Sequence, residues 1–318
     1  MPADSLVFIV VLNWNNAPDT LECLASLQQL DYPNYRILVV DNGSEDGSPE
    51  KIRARYPEVD LLVLGQNLGY GAGNNAGIHC ALEHDAEYVL LLNNDALVSS
   101  TALTRMVQIA ETKPNCGLVG PLTYCTPDKD LLFSAGGRIS WYAARACHRY
   151  MFVPQHCYTA RNPESVDFIA GCAMLASRRL IKTAGLLDPD YFLNLEDVEW
   201  CVRARRHGFS VWLAPEAQIW HKVSGTLGQG SPMNAYYMTR NTLRFFWENA
   251  PRGLRSWCVF VTLLRTMRTI LAWSLKPRYR SRRFYGLRRA NLLALRDFFT
   301  RRYGPMGRDV ANVSLANH

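Results

Sequence analysis

The sequence lacks several features that would place it in a narrow class at once. Its nine cysteines are scattered and never form a C-x-x-C pair, which argues against a structural zinc site and gives no disulfide framework. A reducing cytosol is therefore the simplest expectation. Only residues 1–5 precede the first apolar run, and they show neither a basic region nor a cleavage site, so we predict no signal peptide. Internal repeats and low-complexity tracts are absent too.

Acidic residues are nearly missing from one long stretch. Between Arg252 and Arg308 the chain has 15 Lys and Arg residues against a single acid, Asp297. The remaining residues have 20 basic against 27 acidic side chains, so the net charge of +7 conceals an acidic body and a basic tail. The 318 residues, 48% of them hydrophobic, allow one large domain or a domain with an appendage.

Strand and helix signals alternate along the first half of the chain. This pattern predicts an α/β fold with a mostly parallel sheet covered by helices on both faces. The predicted strands are 6–13, 36–41, 59–65, 88–93 and 117–121, and the predicted helices are 20–30, 48–56, a helix through 83 that follows a glycine-rich turn at 69–75, and 101–112.

The second half is less regular. Residues 123–167 mix aromatic and polar side chains and could form either a substrate-facing lid or a peripheral hairpin. Beyond them the patterns predict a strand at 166–176, helices at 178–183 and 196–207, and two short strands at 211–213 and 217–220.

Acids and one histidine stand at the ends of these elements. Asp41 and Asp95 end strands, Glu196 and Asp197 open a helix, and His221 closes the last strand. Open α/β sheets bind ligands at the carboxyl edge, so we expect Asp95 to be a metal ligand beneath a diphosphate. Each residue also has a structural alternative: a turn for the aspartates, the helix dipole for the acid pair, and a packing role for the histidine.

Three further polar features are open to simpler interpretations. Asp46 precedes a helix and is expected to serve as an N-cap, and Glu199 with Arg203 is expected to form a surface ion pair. The glycine-rich segment 67–77 is neither a Walker loop nor a dinucleotide fingerprint. It could still let a helix N-terminus approach an anion closely.

Taken together, the motifs resemble those of the family 2 glycosyltransferases, and most closely their rhamnosyltransferase-like branch. The resemblance runs from about residue 6 to 226 and implies a GT-A fold, an inverting mechanism, a nucleotide-sugar donor and a Mg²⁺ or Mn²⁺ ion. It rests on the collinear segments VVLNWNN, VVDNGSEDGS, NLGYGAGNNAGI, LLLNNDALV, GCAMLASRR, GLLDPDYFLNLEDVEWCVRARRHGF and WHKVSGT.

The resemblance also implies residue roles. Asp95 stands in the metal-binding motif, where the family often has more acids than Asn93 and Asn94, and His221 can complete the metal shell. Asp197, in the Glu196–Asp197 pair, matches the catalytic base. The donor site is predicted to include Asn13 beside the base and ribose, Asp41 on the pyrimidine, Asn67, Gly73, Asn74, Asn94, Asp95 and Arg240.

The resemblance also bears on how many sugars are added. Processive members carry a Gln-x-x-Arg-Trp motif that is not found at 235–241, so we expect a single addition. Arg240 could hold the diphosphate or could be an ordinary helix-surface arginine. The predicted division is a catalytic domain at 1–226, with a nucleotide half to about 122 and an acceptor half from 123, and a basic helical region at 227–318.

The basic tail mixes arginine with aromatic and aliphatic residues. Residues 256–275 are long enough to span a membrane, but Arg265 and Arg268 near the middle disfavour this. An amphipathic helix on an anionic membrane surface fits better, and helices packed on the catalytic domain are the alternative. Nucleic-acid binding is disfavoured by the acidic body.

The sequence thus predicts a non-processive glycosyltransferase. It would move one sugar, rhamnose by the branch it resembles, from a dTDP, UDP or GDP donor to a lipid-linked or polysaccharide acceptor. It would act at the inner face of the cell membrane. A non-catalytic module that docks on membranes or glycans with the same fold is the alternative.

Overall fold

The computed structural model describes residues 5–222, 230–279 and 281–315. Residues 223–226 of the last family-like motif, and Arg280 of the tail, therefore lie outside the described residues. The strands are β1 Val7–Asn13, β2 Tyr35–Asp41, β3 Asp60–Val63, β4 Tyr88–Asn93, β5 Ala96–Val98, β6 Cys116–Cys125, β7 Leu131–Ser134, β8 Gly137–Ser140, β9 Arg145–His148, β10 Val153–Pro154, β11 Glu164–Ser165, β12 Ala173–Ser177 and β13 Ser210–His221. The helices are α1 Ala17–Leu27, α2 Ser48–Arg55, α3 Gly69–Glu83, α4 Ala102–Thr112, α5 Arg178–Ala184, α6 Glu196–Arg206, α7 Pro232–Asn249, α8 Arg255–Leu275, α9 Arg282–Phe299 and α10 Arg308–Leu315.

One large sheet organises the molecule. Its main path runs β10-β7-β6-β12-β4-β1-β2-β3, and β13 pairs with β11, β5 and β6. The β4-β1-β2-β3 block is parallel, as is the β13–β6 pair, while β12 runs antiparallel between β4 and β6. The predicted α/β fold with a mostly parallel sheet is confirmed.

Alternation along the central strands divides the core between the two faces of the sheet. In β1, Phe8 and Val10 join one buried cluster with Ile78 of α3, while Ile9 and Val11 join the other. The second cluster also holds residues of α1 and α4. Side chains of a strand point alternately to opposite faces, so these near-continuous apolar runs are buried by helices on both sides.

Helix α3 lies unusually close to the sheet because of a glycine. A Cβ atom at Gly77 would lie 2.4 Å from Val10 Cγ1 and 3.0 Å from a methyl group of Val40. The middle of the helix is therefore held tightly against β1 and β2.

The parallel register gathers the strand ends at one edge. Asn13 of β1 is paired with Asp41 of β2, and Leu12 is paired with Asn93 of β4. Strand β13 runs antiparallel to β5 and places His221 opposite Ala96, directly after Asp95. Four separate predicted features thus reach the same edge.

The structure corrects several predicted boundaries. The glycine-rich turn predicted at 69–75 is already helical, since α3 begins at Gly69. The two short strands predicted at 211–220 are one strand, β13, with a register shift between Ala214 and Gln218. Strand β5 was not predicted, because three residues are too short to show a period.

The irregular segment 123–167 contains a peripheral hairpin, β8–β9, and also contributes to the sheet edge. The hairpin turn contacts α8, where Trp257 Nε1 donates to the Tyr142 carbonyl at 2.9 Å. At the other end of the segment, the ring of Phe133 in β7 lies 5.3 Å from that of His221. The segment therefore includes the predicted peripheral hairpin, and a substrate-facing lid stays a prediction.

The C-terminal helices pack on one another and on the predicted catalytic domain. Helix α7 buries Tyr236 and Tyr237 against Ala290 and Ala294 of α9. Phe245 and Phe246, on the same helix, join the main core cluster, so contacts cross the boundary predicted at residue 226. Among the described residues, one helical stretch, Arg252–Leu275, is long and apolar enough to cross a membrane by length and composition.

Candidate active site

A chain of hydrogen bonds joins the ends of β1, β2 and β4. The Asn13 amide donates from Nδ2 to Asp41 Oδ2 at 2.6 Å and accepts at Oδ1 from Asn94 Nδ2 at 3.3 Å. Asp41 also accepts at Oδ1 from the Ser44 backbone N–H at 2.9 Å. Asn94 donates further to Thr20 Oγ1 at 2.9 Å, so its amide nitrogen is used inside the protein. Asn13 and Asp41 are completely buried.

The glycine-rich helix start is tied to the same edge through Asn42. Asn42 Nδ2 donates to Asn67 Oδ1 at 3.1 Å, and the backbone N–H of Gly69 donates to the same oxygen at 2.8 Å. A Cβ atom at Gly73 would lie 3.2 Å from the Asn42 side chain. Asn74 donates to the Tyr70 carbonyl at 3.0 Å, but its buried Oδ1 has no hydrogen-bond partner. These residues therefore line one corner next to Asp41.

Asp95 and His221 face each other in a buried position. Asp95 Oδ1 lies 3.1 Å from His221 Nε2, and Asn93 Nδ2 lies 3.3 Å from the same nitrogen. His221 Nδ1 is buried without a hydrogen-bond partner, and the buried Asp95 Oδ1 has His221 Nε2 as its one neighbour among the described polar side chains. A buried polar atom without a partner is costly, so a ligand that uses Asp95 Oδ1 would stabilise this arrangement.

This donor pair fits a divalent cation. Adjacent ligands of an octahedral Mg²⁺ ion, with bonds of about 2.1 Å, lie about 3 Å apart. The Asp95 and His221 atoms have this separation. Within the described ranges no three His, Cys, Asp or Glu side chains are grouped as a metal cage. The protein would therefore supply two donors and leave the other positions to phosphate oxygens and water.

Glu196 and Asp197 open α6 at the same edge but differ in their surroundings. Asp197 is partly exposed and accepts from the backbone N–H groups of Gly171 at 2.8 Å and Val198 at 2.7 Å. Glu196 is buried, and its Oε2 has no hydrogen-bond partner. Burial, reinforced by the charge of Asp197, raises the pKa of Glu196 from 4.5 to about 8. Burial also raises the pKa of Asp197.

The loop before α6 holds the acids in a strained backbone. Phe192, Asn194 and Leu195 all have positive φ, between 60° and 73°, which L-residues with side chains rarely adopt. Asn241 of α7 is fully buried and donates from Nδ2 to the carbonyls of Tyr191, Leu193 and Asn194 at 2.7–3.0 Å. A side chain of the C-terminal region thus fixes the loop that carries the predicted base.

Arg240 is not brought to this edge. It is completely buried, and its guanidinium donates to Gly304 O at 2.8 Å and to Tyr191 O at 3.2 Å. The rings of Tyr236 and Tyr237 lie about 5 Å from its Cζ. Because its donors are already used by the protein, the predicted contact with a diphosphate is not supported.

Two of the simpler interpretations also change. The pair formed by Glu199 and Arg203, at 2.8 Å, lies largely inside the protein, and Arg203 also donates to the Leu186 carbonyl at 2.7 Å. It clamps α6 to the preceding loop and is not a surface pair. Asp46 accepts from the Ser48 backbone N–H at 3.0 Å, but the N-cap residue of α2 is Gly47.

Cys172 connects the acids. Its carbonyl accepts from the Asn93 backbone N–H at 2.9 Å, and its neighbour Gly171 donates to Asp197. Burial, and after it the charge of Asp95, raises the pKa of the Cys172 thiol to about 12, and Asp197 contributes to the same shift. The loop before β12 therefore lies between the predicted metal ligand and the predicted base.

Several polar residues at this edge were missed by the sequence reasoning. Tyr70 donates its hydroxyl to the Gly171 carbonyl, and Ser44, Thr20 and Asn241 complete the networks above. The only feature of the sequence that drew attention to the position of Asn241 was the neighbouring Arg240. The others are common residues in loops or helix starts, where no local pattern distinguishes a site residue.

The sheet edge thus combines a buried aspartate network, a carboxylate–imidazole pair and an acid pair at a helix start. The chain belongs to the glycosyltransferase family 2: the model of "Glycosyltransferase like family 2" matches residues 2–241. A relative from Mycobacterium tuberculosis, N-acetylglucosaminyl-diphospho-decaprenol L-rhamnosyltransferase, is 28% identical over 70% of this chain and 77% of its own length. A dTDP-rhamnosyl transferase, RfbF, from Shigella flexneri is 22% identical over 77% and 81%.

Solved structures agree on the fold. The mannosyltransferase PcManGT from Pyrobaculum calidifontis, in complex with GDP-Man and Mn²⁺, superposes with a TM-score of 0.59 at 17% identity, covering 93% of this chain and 87% of that protein. Residues 1–349 of TarS from S. aureus superpose with a TM-score of 0.55 at 14% identity, covering 98% and 90%. The resemblance stated from the motifs is confirmed at the level of family and fold.

Proposed function

We propose that this protein is an inverting, metal-dependent glycosyltransferase that moves a single sugar from a nucleotide-diphosphate donor to a lipid-linked or polysaccharide acceptor. The observation that carries the proposal is the convergence of Asp41, Asp95 and Asp197 on one sheet edge, joined through Asn13 and the Gly171–Cys172 loop. Rhamnose from a dTDP donor is the sugar favoured by the names of the two relatives, while UDP and GDP donors stay open.

The donor nucleotide would occupy the corner between β1 and β2. Asp41, held by Asn13 and Ser44, would accept from the base, and Asn13 would lie beside base and ribose. Asn67, Gly73 and the unpaired Asn74 amide oxygen line the start of α3, where the positive end of the helix dipole favours the diphosphate.

Asp95 and His221 would hold the divalent cation, Mg²⁺ or Mn²⁺. When bound, the ion would act as a Lewis acid that offsets the charge left on the departing nucleoside diphosphate. Asp95 provides the hard oxygen ligand such ions prefer, and His221 would offer the lone pair of Nε2, which faces the Asn93 amide at 3.3 Å when no ion is bound. A bound ion would give the buried Asp95 Oδ1 a strong partner, which supports its assignment as a ligand.

Asp197 would be the catalytic base. Its carboxylate would take the proton from an acceptor hydroxyl as the new bond to the anomeric carbon forms and the bond to the phosphate oxygen breaks. A single displacement inverts the configuration and needs no second nucleophilic carboxylate, unlike retaining hydrolysis. Glu196, protonated near neutral pH because its pKa is raised to about 8, would leave the negative charge on Asp197.

The C-terminal helices would bring the enzyme to the inner face of the cell membrane. Helix α8 presents an apolar row, spaced three or four residues apart, in which every side chain is at least 43% exposed: Trp257, Phe260, Leu264, Met267, Leu271 and Leu275. Exposed Arg and Lys residues flank this row. An apolar face with basic neighbours favours binding in the interface of an anionic membrane.

A donor panel tests the proposal directly. Binding of UDP-, GDP- and dTDP-sugars is measured by thermal shift with Mn²⁺ and then with EDTA. We expect one nucleotide class to raise the unfolding temperature, with dTDP-rhamnose producing the largest shift, and we expect EDTA to remove most of the effect. No shift with any nucleotide sugar in Mn²⁺ would contradict the proposal.

The alternative, a non-catalytic docking module, can be distinguished from the proposed enzyme by substituting the proposed base, Asp197. The Asp197→Asn variant is expected to bind the donor but to lose transfer by about 10²- to 10⁴-fold, the usual contribution of a general base. If the variant retained the full biological role of the wild type, the docking module would be favoured.

A further inference from the structure

A cationic groove lies between the β8–β9 hairpin and α8, outside the site described above. Its volume is about 480 Å³. Three arginines line it, Arg145 from β9 and Arg265 and Arg268 from α8, and no acid is among its lining residues. Three guanidinium groups without a carboxylate form a site that favours an anion, and the planar guanidinium matches phosphate oxygens in particular.

The charges in the groove are only partly compensated. Arg265 donates from its two terminal nitrogens to the carbonyls of Ala143 and Ala144, at 2.7 and 3.2 Å. Within the described parts of the chain, the side chains of Arg145 and Arg268 form no hydrogen bond or ion pair. Burial, followed by the charge of Arg145, lowers the pKa of Arg265. A bound anion would relieve this repulsion.

Apart from Thr269, the remaining wall of the groove is apolar. Val261, Leu264 and Trp273 line it beside the arginines. Leu264 also belongs to the exposed apolar row of α8, so the groove opens directly beside the face that would meet a membrane. A ligand with an anionic head and a hydrocarbon chain matches both halves, whereas a free nucleotide or an inorganic anion would leave the apolar half unused.

The hairpin strand connects the groove to the active site. Arg145 begins β9 and His148 ends it, about 10 Å further along at the usual rise of a strand. The ring of His148 lies 5.3 Å from that of Phe133, whose other neighbour is His221. One short strand therefore leads from the arginines to the surroundings of the predicted metal ligand.

We propose that this groove is the subsite for the phosphate or diphosphate group of a lipid-linked acceptor, held by Arg145, Arg265 and Arg268. The first units of the lipid chain lie along Val261, Leu264 and Trp273. Strand β9 and the rings of His148 and Phe133 lie between this subsite and His221. The identity of the ligand as an acceptor rests on the proposed function, while the binding of a lipid phosphate does not.

The test uses farnesyl diphosphate as a probe, titrated into the full chain by calorimetry. EDTA is present throughout, so a cation-dependent site elsewhere cannot contribute. We expect saturable binding, weaker binding of inorganic diphosphate and none of farnesol. Arg145→Gln and Arg268→Gln should each weaken binding about tenfold or more, because a hydrogen bond to a charged group contributes about 1.5–3 kcal/mol.

Arg278→Gln is the matched control. It removes an exposed arginine of the same basic region outside the groove, and binding should be unchanged. Arg268 is exposed, so Arg268→Gln should leave the fold intact. Its binding can therefore still be interpreted if Arg145→Gln lowers stability. Equal losses in Arg278→Gln and Arg268→Gln would overturn the proposal and indicate a diffuse basic surface. Undiminished binding in both groove variants would overturn it as well.

A second readout separates this proposal from the proposed function. Donor binding, measured by thermal shift with Mn²⁺, should be the same in Arg268→Gln and wild type. If farnesyl diphosphate binds but no nucleotide sugar does, the groove is supported as a lipid-phosphate site and the glycosyltransferase proposal fails. If donors bind but farnesyl diphosphate does not, the groove proposal fails alone. Anionic vesicles without farnesyl diphosphate show how much binding a lipid surface alone provides.

Discussion

Glu196 and Asp197 are adjacent in sequence, yet their carboxyl groups differ in their hydrogen-bond partners. Asp197 receives two backbone N–H groups, which stabilise its charged form, while Glu196 has a buried oxygen without a partner. The pair therefore retains a proton on Glu196 at neutral pH, and titration of that proton near pH 8 places a second charge beside the base.

This difference predicts a pH dependence that one substitution removes. In the wild type, the transfer rate should change as the pH rises through about 8, where Glu196 ionises. Glu196→Gln, which mimics the protonated acid, should keep most of the activity at pH 7 and lose that change. The measurement is the pH–rate profile of both proteins. An unchanged profile in Glu196→Gln would show that another group titrates.

Stability should depend on the same group. The pKa of Glu196 is raised in the folded state, so the folded protein binds more protons than the unfolded chain between pH 4.5 and about 8. The free energy of unfolding from this group is therefore greatest below pH 4.5 and falls as the pH rises through about 8. Glu196→Gln should flatten this decline in urea unfolding experiments, and Glu45→Gln, an exposed acid elsewhere, should not.

A further prediction at the scale of single residues concerns Asp95 as a metal ligand. Loss of an outer partner of a metal ligand costs about 10- to 100-fold in affinity, and losing the ligand itself should cost at least as much. Asp95→Asn should therefore weaken Mn²⁺ binding, measured by calorimetry in the presence of a nucleoside diphosphate. Asp46→Asn is the control, since Asp46 is exposed. Equal Mn²⁺ affinity in Asp95→Asn and the control would remove Asp95 from the metal site.

At the scale of elements, α7 holds the loop that precedes the proposed base, Asp197, and would affect catalysis through that loop. The Asn241 amide holds three carbonyls of the loop that precedes α6 and keeps that loop in a positive-φ conformation. Without those bonds the loop would relax, and Asp197 would move from the position where it meets an acceptor hydroxyl. Asn241 is therefore a positioning residue.

Asn241→Leu tests this role by removing the donors while keeping the size. We expect a stability loss of about 1–3 kcal/mol for unsatisfied carbonyls, together with a lower kcat and an unchanged KM for the donor. Asn291→Leu is the matched control, because Asn291 is also buried and bonded, to Leu287 O and Thr239, but lies in α9 away from the loop. A similar fall of kcat in both variants would indicate general destabilisation.

The sequence predicted those elements whose patterns are local and strong. Apolar runs such as β1 and β4 end abruptly in polar residues. The sequence therefore predicts both the strands and the position of Asp95 at the sheet edge. The pairing of Asn13 with Asp41 comes from the register of the parallel strands, which the structure adds.

Other features depend on contacts distant in sequence and could not be predicted. Nothing near Asn241 reveals that it reaches residues 191–194, and nothing near Arg240 reveals its complete burial. Strand β5 exists because β13 pairs with it. The glycines of α3 suggested a turn by their propensity, but packing against the sheet favours the helix at positions where only glycine fits.

At the scale of the whole molecule, the exposed row on α8 predicts membrane association. The protein should sediment with phosphatidylglycerol vesicles and much less with neutral vesicles, and added salt should weaken the binding. The double variant Phe260→Ser and Leu271→Ser should bind more weakly because it removes two exposed apolar side chains of the row.

The control for this experiment is Val63→Ser. Val63 is 45% exposed, comparable with the residues of the row, but it lies on the edge strand β3. Vesicle binding should therefore be unaffected by this change. If the double variant bound as well as Val63→Ser, the apolar row would not be the membrane surface, and packing among the C-terminal helices would be its main role.

The hold of α7 on the loop before α6 has a consequence for recombination between related enzymes. Exchanging the C-terminal region at a junction near residue 226 would separate Asn241 from the carbonyls it serves and Arg240 from Tyr191. In a chimaera joined there, Asn241 and Arg240 would come from one parent and the loop that they bond would come from the other. A junction after Asn249 would keep the Asn241 clamp and its loop from one parent, but it would instead divide the packing of α7 against α9 and the Arg240–Gly304 bond.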